Sequence, residues 1–290
     1  MTVGIEMQTQ SCVICGHAVS RLWLSDCPDY YLGMPYRVDY AECEHCAMVQ
    51  QVAMPKDTSH FYEAYPVHKS KGKAFALFRS LLIRNVYFSP DEQSKDAALL
   101  DLGCGDGSYL ESIQGKFAKT FGFEPGEMQA KAVADRLKCD VFTTVDAAKN
   151  ALRAKVDVVT AHFVLEHVTD PHATFDFVSS LLRPGGVFYL ALPNIKSREA
   201  RLFGRKWHGL DAPRHLCFLE REGLEQLADR HGFRLEKSGY GIFPNTIAAS
   251  IVNAVTGRHR NLPFLALLPL AFLIAAMFPS GTTTFSLRRI

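Results

Sequence analysis

The sequence predicts an α/β protein with a doubly wound, mostly parallel sheet and a small cysteine-bearing module ahead of it. Strand-like apolar runs lie near 97–102, 119–124, 139–143, 156–161 and 186–192, with helical patterns such as 127–137 and 172–182 between them. This alternation indicates parallel strands joined by helices. A glycine-rich turn follows the first run, and two C-x-x-C pairs lie within the first 50 residues.

The composition is that of a folded globular protein. The chain has 290 residues, 48% of them hydrophobic, with 32 Lys and Arg against 30 Asp and Glu. A net charge of +2 gives no electrostatic case for wrapping duplex nucleic acid. The first ten residues lack a basic segment followed by an apolar run, so we expect a cytoplasmic protein without disulfides. The eight cysteines therefore need another explanation.

Four cysteines form two pairs, Cys12 with Cys15 and Cys43 with Cys46. Two such turns can direct four thiolates at one Zn²⁺ ion, and four cysteine ligands make a closed, structural site. The 27 residues between the pairs include strand-like stretches at 21–24 and 36–40, as in a ribbon built on β-hairpins. A redox dithiol is the alternative, but such a motif normally occurs once. The other cysteines are expected to be packing residues: Cys27, Cys104, Cys139 and Cys217.

The glycine turn has the pattern G-x-G-x-G, formed by Gly103, Gly105 and Gly107, and Asp101 precedes it. A dinucleotide fingerprint would need a glycine at the position of Ser108, so a nicotinamide-dependent oxidoreductase is not expected. The pattern resembles the first motif of class I S-adenosylmethionine-dependent methyltransferases. The resemblance implies that Asp101 helps to position the cationic amino group of the cofactor.

An acidic residue, Glu124, ends the next strand, where the resemblance implies a carboxylate that binds the ribose diol. The string from Val164 to Pro171 and the turn at 184–186 resemble later motifs of a family that includes the ubiquinone-pathway O-methyltransferases. The resemblance covers roughly residues 95–240. It implies a Rossmann-like sheet of seven strands, with 232–238 as the sixth and 282–287 as an antiparallel seventh.

The candidates for moving a proton follow the fourth and fifth strands, near the edge where ligands bind in such sheets. They are Glu166 and His167 after the fourth strand, and Asp211 and His215 after the fifth. His215 is the first choice as base because histidine titrates near neutral pH, and a histidine that only hydrogen-bonds a loop is the alternative. Glu166 and His167 are catalytic or pack the start of the following helix. His162 lines the cofactor pocket or is a core histidine.

The segment from Trp207 to Phe218 resembles a stretch that folds over the acceptor pocket in zinc-bearing sugar C-methyltransferases. The resemblance implies an acid/base pair of tyrosine and histidine there. This chain keeps His215 and lacks the tyrosine, which counts against that C-methylation mechanism.

An apolar segment, 262–279, precedes the last strand, and no acidic residue lies within 254–290. Three arrangements are open: a buried helix pair, an interfacial element with arginines at both ends, and a membrane span. The interfacial arrangement predicts peripheral contact with the inner membrane face and an apolar or lipid-linked acceptor.

The predicted organisation is a zinc ribbon at 1–60, a linker-helix segment at 61–94, a methyltransferase core at 95–245, an apolar insertion at 246–281 and a final strand at 282–290. The predicted function is methyl transfer from S-adenosylmethionine to a small-molecule, sugar, glycan or lipid-linked acceptor, on oxygen or carbon. One alternative is a non-catalytic scaffold with a methyltransferase fold. The other is an RNA methyltransferase, although the predicted ribbon carries few basic residues.

Overall fold

The computed structural model describes residues 10–62, 86–89 and 91–290, in which the strands form two sheets. The strands are β1 (Gln10–Ser11), β2 (Ala18–Pro28), β3 (Arg37–Cys43), β4 (Val49–Gln51), β5 (Ala98–Leu102), β6 (Lys119–Phe123), β7 (Val141–Phe142), β8 (Val156–His162), β9 (Leu182–Pro193), β10 (Cys217–Phe218), β11 (Phe233–Gly241) and β12 (Thr282–Arg289). Most of the predicted linker-helix segment lies outside the described residues.

The larger sheet has seven strands in the order β11-β12-β9-β8-β5-β6-β7. Strands β9, β8, β5, β6 and β7 pair in parallel, whereas β12 is antiparallel to both β9 and β11. The predicted fold class, including the antiparallel seventh strand, is confirmed. The strand predicted near 139–143 is β7, and it is shorter than expected because only Val141 and Phe142 pair with β6.

The helices begin and end where local signals favour it. They are α1 (Ser108–Ile113), α2 (Glu127–Leu137), α3 (Val145–Leu152), α4 (Pro171–Leu181), α5 (Arg198–Phe203), α6 (Arg221–Arg230), α7 (Pro244–Thr256) and α8 (Asn261–Met277). The start of α4 is an example: the Asp170 carboxylate accepts a hydrogen bond from Ala173 N at 2.9 Å, and Pro171 occupies the first turn. Both features are favoured at a helix N-terminus.

The core lies between the central strands and the helices that cover them. Phe175 of α4 packs against Phe188 of β9 and Phe233 of β11, with ring centroids 5.3 and 5.6 Å apart, and all three side chains are buried. Aromatic contacts of this kind add to the free energy gained by burial. The packing fixes α4 against β9 and β11, while the parallel pairing of β5 to β9 places the carboxyl ends of those strands at one edge.

The smaller sheet joins the N-terminal module to the rest of the chain. The predicted strand stretches at 21–24 and 36–40 fall in β2 and at the start of β3, which pair in antiparallel fashion. Sequence reasoning missed the fifth strand, β10, in which Cys217 and Phe218 pair with Gln50 and Val49 of β4. The N-terminal module and the segment before α6 therefore share one sheet.

The predicted apolar insertion at 246–281 contains most of α7 and all of α8, which follow β11 at the edge of the sheet where the parallel strands end. Helix α7 is largely buried, and Ser250 accepts a hydrogen bond from His208 N at 2.8 Å. Helix α8 buries one face, including Leu268 and Ala271, against α7 and exposes the other, where Leu262 is 82% exposed. Within the described residues, no helix combines the length and the apolar character needed to cross a membrane.

Candidate active site and metal centre

Loops that follow β5, β6 and β8 meet at the carboxyl edge of the larger sheet. Gly103 N, just after β5, donates a hydrogen bond to Phe123 O at the end of β6, at 2.8 Å. The side chain of Val164, which follows β8, lies against Gly103. In an open α/β sheet this edge is the usual ligand-binding edge.

The backbone of the glycine loop favours glycine at all three positions. Gly103, Gly105 and Gly107 have φ angles of 69°, 53° and 71°, a region that side chains disfavour. A Cβ atom on Gly103 would lie 2.7 Å from Val164 Cγ2, and one on Gly107 would lie 2.7 Å from Val133 Cγ1. The main chain can therefore turn tightly and present its amide groups closely to a ligand.

Two carboxylates flank the loop. Glu124 Oε2 accepts a hydrogen bond from Gly105 N at 3.1 Å, which holds the carboxylate beside the loop. Asp101 is buried, and its Oδ1 accepts a hydrogen bond from Thr160 Oγ1 at 2.7 Å. The structure thus places the predicted glycines and both predicted carboxylates around one loop.

His162 lies next to Asp101 and is surrounded by aromatic side chains. Its Nδ1 is 3.4 Å from Asp101 Oδ1, and its Nε2 accepts a hydrogen bond from Phe88 N at 3.2 Å. The ring centroids of Tyr87 and Tyr109 each lie 4.5 Å from that of His162. The side chain is only 5% exposed, and its Nδ1 has no hydrogen-bond partner within the described residues, so its contacts are those of a core histidine beside Asp101.

Glu166, His167 and His215 converge at the same edge, and we call them the Glu–His cluster. Glu166 and His167 lie in a 3₁₀ turn after β8, and His215 lies in the loop before β10. His215 Nε2 is 3.9 Å from Glu166 Oε1, and the two histidine ring centroids are 4.6 Å apart. Leu216 N donates a hydrogen bond to Glu166 O at 2.6 Å, so the two segments are tied together.

The Glu–His cluster is strongly desolvated. Glu166 is fully buried, and neither of its carboxylate oxygens has a hydrogen-bond partner within the described residues. Burial raises the pKa of Glu166 to about 8. Burial also lowers the pKa of His215 to about 3 and shifts the pKa of His167 downward. Perturbed carboxylate and imidazole groups held together in this way mark a candidate functional site.

Sequence reasoning named Asp211 as a candidate for moving a proton, but it missed Tyr62, which contacts this cluster, and Asp29 and Arg214, which form a salt-bridge network with Asp211. The hydroxyl of Tyr62 lies 2.8 Å from His167 Nδ1. The side chain of Arg214 is fully buried and makes two-pronged contacts of 2.8–3.0 Å with both Asp29 and Asp211. Burial alone would raise the pKa of Asp211, but the charge and hydrogen bonds of Arg214 outweigh it and hold that pKa well below its ordinary value. Asp211 is thereby bound in a salt bridge.

Little in the sequence could have revealed this network. The spacing of Asp211 and Arg214 is compatible with a local ion pair, whereas nothing connects Asp29 with a residue 185 positions further along the chain. The sheet that β4 and β10 share helps to bring the two segments together.

The four predicted zinc ligands are brought together at the end of the smaller sheet. Cys12 Sγ lies 3.4 Å from Cys46 Sγ, and Cys15 Sγ lies 3.5 Å from Cys43 Sγ. All four sulfur atoms lie within 4.8 Å of one another. A tetrahedral zinc ion with Zn–S bonds of about 2.3 Å separates its sulfur ligands by roughly 3.8 Å, so the donor set fits such an ion.

The order of the larger sheet, the glycine loop after β5 and the acidic residue after β6 define a Rossmann-like methyltransferase fold. Residues 73–238 match the family model described as a methyltransferase domain, and the chain belongs to this family.

The relatives found include ubiquinone biosynthesis O-methyltransferases. That of Paraburkholderia phytofirmans is 38% identical over 118 residues, which is 38% of this chain and 50% of the relative. That of Colwellia psychrerythraea is 32% identical over 178 residues, which is 57% of this chain and 68% of the relative. The chain spans about half the length of the first of these curated relatives.

Among solved structures, the chain is similar to an O-methyltransferase from a trans-AT PKS multienzyme of Brevibacillus brevis in complex with S-adenosyl-L-homocysteine. The identity is 18%, the TM-score is 0.49, and the match covers 81% of this chain and 80% of that one.

Proposed function

We propose that the protein transfers the methyl group of S-adenosylmethionine to a hydroxyl oxygen of an acceptor bound next to the Glu–His cluster. The observation that carries the proposal is the closed glycine loop, with the Glu124 carboxylate fixed beside Gly105 and with the Glu–His cluster at the same edge of the sheet. The O-methyltransferase relatives favour oxygen over carbon as the methylated atom.

The residues around the loop fit S-adenosylmethionine. Glycine main chain suits the amino-acid tail and the ribose, while Asp101 and Glu124 would hold the amino group and the ribose hydroxyls. When bound, the cofactor supplies an electrophilic methyl group on a sulfonium. Oxygen–carbon bond formation and sulfur–carbon bond cleavage leave the electron pair on sulfur, and the acceptor proton leaves toward the Glu–His cluster.

Replacement of Glu124 by alanine is expected to weaken binding of S-adenosylmethionine roughly 10- to 100-fold. The reason is that a hydrogen bond to a charged group contributes about 1.5–3 kcal/mol. Titration calorimetry with the cofactor measures the change, and Glu127→Gln, an exposed carboxylate on α2, is the matched control. An unchanged affinity of Glu124→Ala would contradict the assignment of the cofactor site.

A second experiment separates an enzyme from a scaffold. The protein is incubated with S-adenosylmethionine carrying a labelled methyl group and with envelope lipid and glycan extracts. Transfer of label to an alkali-stable ether supports O-methylation. Tight cofactor binding with no transfer to any acceptor would favour the non-catalytic scaffold, and transfer to RNA would favour the RNA methyltransferase.

Structural zinc at the four ribbon cysteines is part of this proposal. The sulfur distances support it, as do the turns that surround them: Gly16 has a φ of 77°, and Ala47 has a φ of 59°. With four cysteine ligands the ion would hold the ribbon together without an open position for water.

We also propose that the acceptor is presented at an anionic membrane surface and that α8 contacts this surface. Its outward face is apolar throughout, with Leu262, Leu270 and Leu273 between 52% and 82% exposed. Arg258 and Arg260 are exposed just ahead of the helix. An apolar face beside arginines complements a layer of anionic headgroups.

The double variant Leu270→Glu/Leu273→Glu is expected to lose at least about 10-fold in partitioning to vesicles, because it places two charges on the face that would enter the headgroup layer. Flotation with phosphatidylglycerol-containing vesicles measures the partitioning, and phosphatidylcholine vesicles test the role of charge. Leu22→Glu, which replaces an exposed leucine of the ribbon, is the control. A wild-type protein that stays off anionic vesicles and forms dimers in light scattering would assign α8 to self-association instead.

A further inference from the structure

One arginine side chain ties two distant segments of the chain together. Arg214, in the loop before β10, is fully buried, and so is the carboxylate of Asp29, which follows β2. The Arg214 guanidinium donates to both oxygens of Asp29, from Nη1 at 2.9 Å and from Nη2 at 2.8 Å, and its Nε and Nη2 donate to Asp211 at 3.0 and 2.8 Å. A guanidinium presents its donors as a planar fork, so this pairing fixes the two carboxylates relative to each other.

The Asp29 carboxylate is itself fixed within the N-terminal module. Its Oδ1 accepts hydrogen bonds from Tyr31 N and Leu32 N, both at 2.9 Å, and its Oδ2 accepts one from Met34 N at 3.4 Å. An aspartate that binds main-chain amide groups a few residues ahead closes a turn. Asp29 therefore has little rotational freedom, and Arg214 is held at the position that this turn sets.

A glutamine of the same module holds the main chain on both sides of Arg214. Gln51 Nε2 donates to Pro213 O at 2.7 Å and to His215 O at 3.0 Å, and Gln51 N donates to Leu216 O at 2.9 Å. Gln51 is buried, so these bonds form without competition from water. The N-terminal module thus fixes both the side chain of Arg214 and the peptide groups next to it.

The same contacts determine where the His215 imidazole lies. Asp211 has a φ of 33°, a left-handed conformation that a residue with a side chain keeps only where its surroundings compensate. Arg214 supplies that compensation through the Asp211 carboxylate, and Asp211 O in turn accepts a hydrogen bond from His215 N at 3.2 Å. His215 Nδ1 lies 2.9 Å from Gly209 O, which only accepts, so Nδ1 carries the proton and Nε2 keeps its lone pair. The imidazole is thus held in one tautomer and one orientation.

We propose that Asp29 is a positioning residue for methyl transfer, which keeps the His215 imidazole in its productive orientation through Arg214 and Asp211. This role rests on the proposed function, in which His215 belongs to the cluster that receives the acceptor proton. Asp29 acts on the reaction through the loop, because its carboxylate is occupied by Arg214 and by the amide groups of its own turn. The N-terminal module therefore contributes a side chain to the geometry of the active site.

Histidine NMR of the full-length protein tests this role without any substrate. Burial lowers the pKa of His215 to about 3, so the wild-type imidazole should stay neutral, with the proton on Nδ1, between about pH 5 and 8. In Asp29→Asn the loop gains access to water, and we expect a mixture of both tautomers and a pKa of His215 that is higher by at least about two pH units. Arg214→Lys should have the same effect, since an ammonium lacks the planar fork. The signals of His215 are assigned by their loss in His215→Gln.

Transfer of a labelled methyl group to envelope lipid and glycan extracts, at saturating cofactor, measures the consequence for the reaction. We expect the rate of Asp29→Asn to fall roughly 10- to 100-fold, because a displacement of about 1 Å can cost about 10²-fold, while the affinity for S-adenosylmethionine changes less than about 2-fold. Glu42→Gln is the matched control: Glu42 is also a buried carboxylate of the N-terminal module, but it pairs with Arg21 and Lys196. It should keep the single tautomer and the wild-type rate. Circular dichroism verifies that each variant is folded, and where Asp29→Asn does not fold, Arg214→Lys decides by the same two measurements.

The outcomes separate this role from the proposed function. A single tautomer and a rate within about 3-fold of the wild type in both Asp29→Asn and Arg214→Lys would overturn the role of Asp29 and leave the function. A slower rate with an unchanged His215 spectrum would overturn it as well, because Asp29 would then act through another group. Mixed tautomers in variants of a wild type that transfers no label would contradict the proposed function, while the hold of Asp29 on the loop would remain.

Discussion

The Glu166→Gln and His215→Gln variants are expected to lose about 10²- to 10⁴-fold in kcat, the range that positioned proton-transfer groups contribute. Both variants approximately keep the volume of the side chain and remove either the ionisable carboxyl group of Glu166 or the imidazole of His215. The acceptor proton then has no group to receive it. Single-turnover transfer of a labelled methyl group measures the loss.

The affinity for S-adenosylmethionine should change less than about 2-fold in both variants, because the cluster side chains do not belong to the glycine loop. His172→Gln provides the control: it replaces a part-buried histidine that contacts Ile14 O and His231, outside the cluster. A kcat within about 3-fold of the wild type for both cluster variants would assign Glu166 and His215 to loop packing, the alternative role that their sequence positions left open.

The larger sheet was predictable because its signals are local. Runs of apolar residues at β5, β8 and β9 are buried on both faces, as expected for parallel strands. The glycine loop was predictable for the same reason, since positive φ angles at Gly103 and Gly107 leave few other residues possible there. Glu124 follows β6 directly, so strand order alone brings it to the loop.

The surroundings of the Glu–His cluster depend on contacts between distant segments, which a single sequence does not encode in any local pattern. Tyr40 OH donates a hydrogen bond to His215 O at 2.9 Å, and Gln51 Nε2 donates to the same oxygen at 3.0 Å. Both residues belong to the N-terminal module. The composition of α8 was likewise ambiguous, because a helix that is apolar all round gives no periodicity to show which face is covered.

These contacts give the ribbon a role beyond its own stability. Gly223 of α6 packs so closely on the second cysteine turn that a Cβ atom there would lie 3.2 Å from Cys46 O. Strand β10, two residues after His215, completes the ribbon sheet. The loop that carries His215 is therefore followed by elements that pack on the module containing the four cysteines.

Loss of the proposed ribbon zinc is accordingly expected to reduce both stability and the proposed activity. Cys43→Ser should release zinc and lower Tm by roughly 10 °C or more, because structural zinc contributes about 10–16 kcal/mol to the folding of small metal modules and 1 kcal/mol shifts Tm by about 2–4 °C at this size. A loss of about 3–5 kcal/mol, a fraction of the free energy of zinc binding, is enough to lower Tm by this amount. Calorimetric unfolding, with the zinc content of the same sample, provides the measurement.

Cys139→Ser is the matched control, since Cys139 is partly buried and outside the ribbon set. It should keep the zinc and the Tm of the wild type. Methyl transfer by Cys43→Ser should fall together with the order of the His215 loop, while cofactor affinity at the glycine loop changes less, because that loop is built on β5 and β6. A Cys43→Ser protein that keeps its ribbon zinc and melts within 2 °C of the wild type, the spread expected from about 1 kcal/mol, would show that the thiolates do not hold the module.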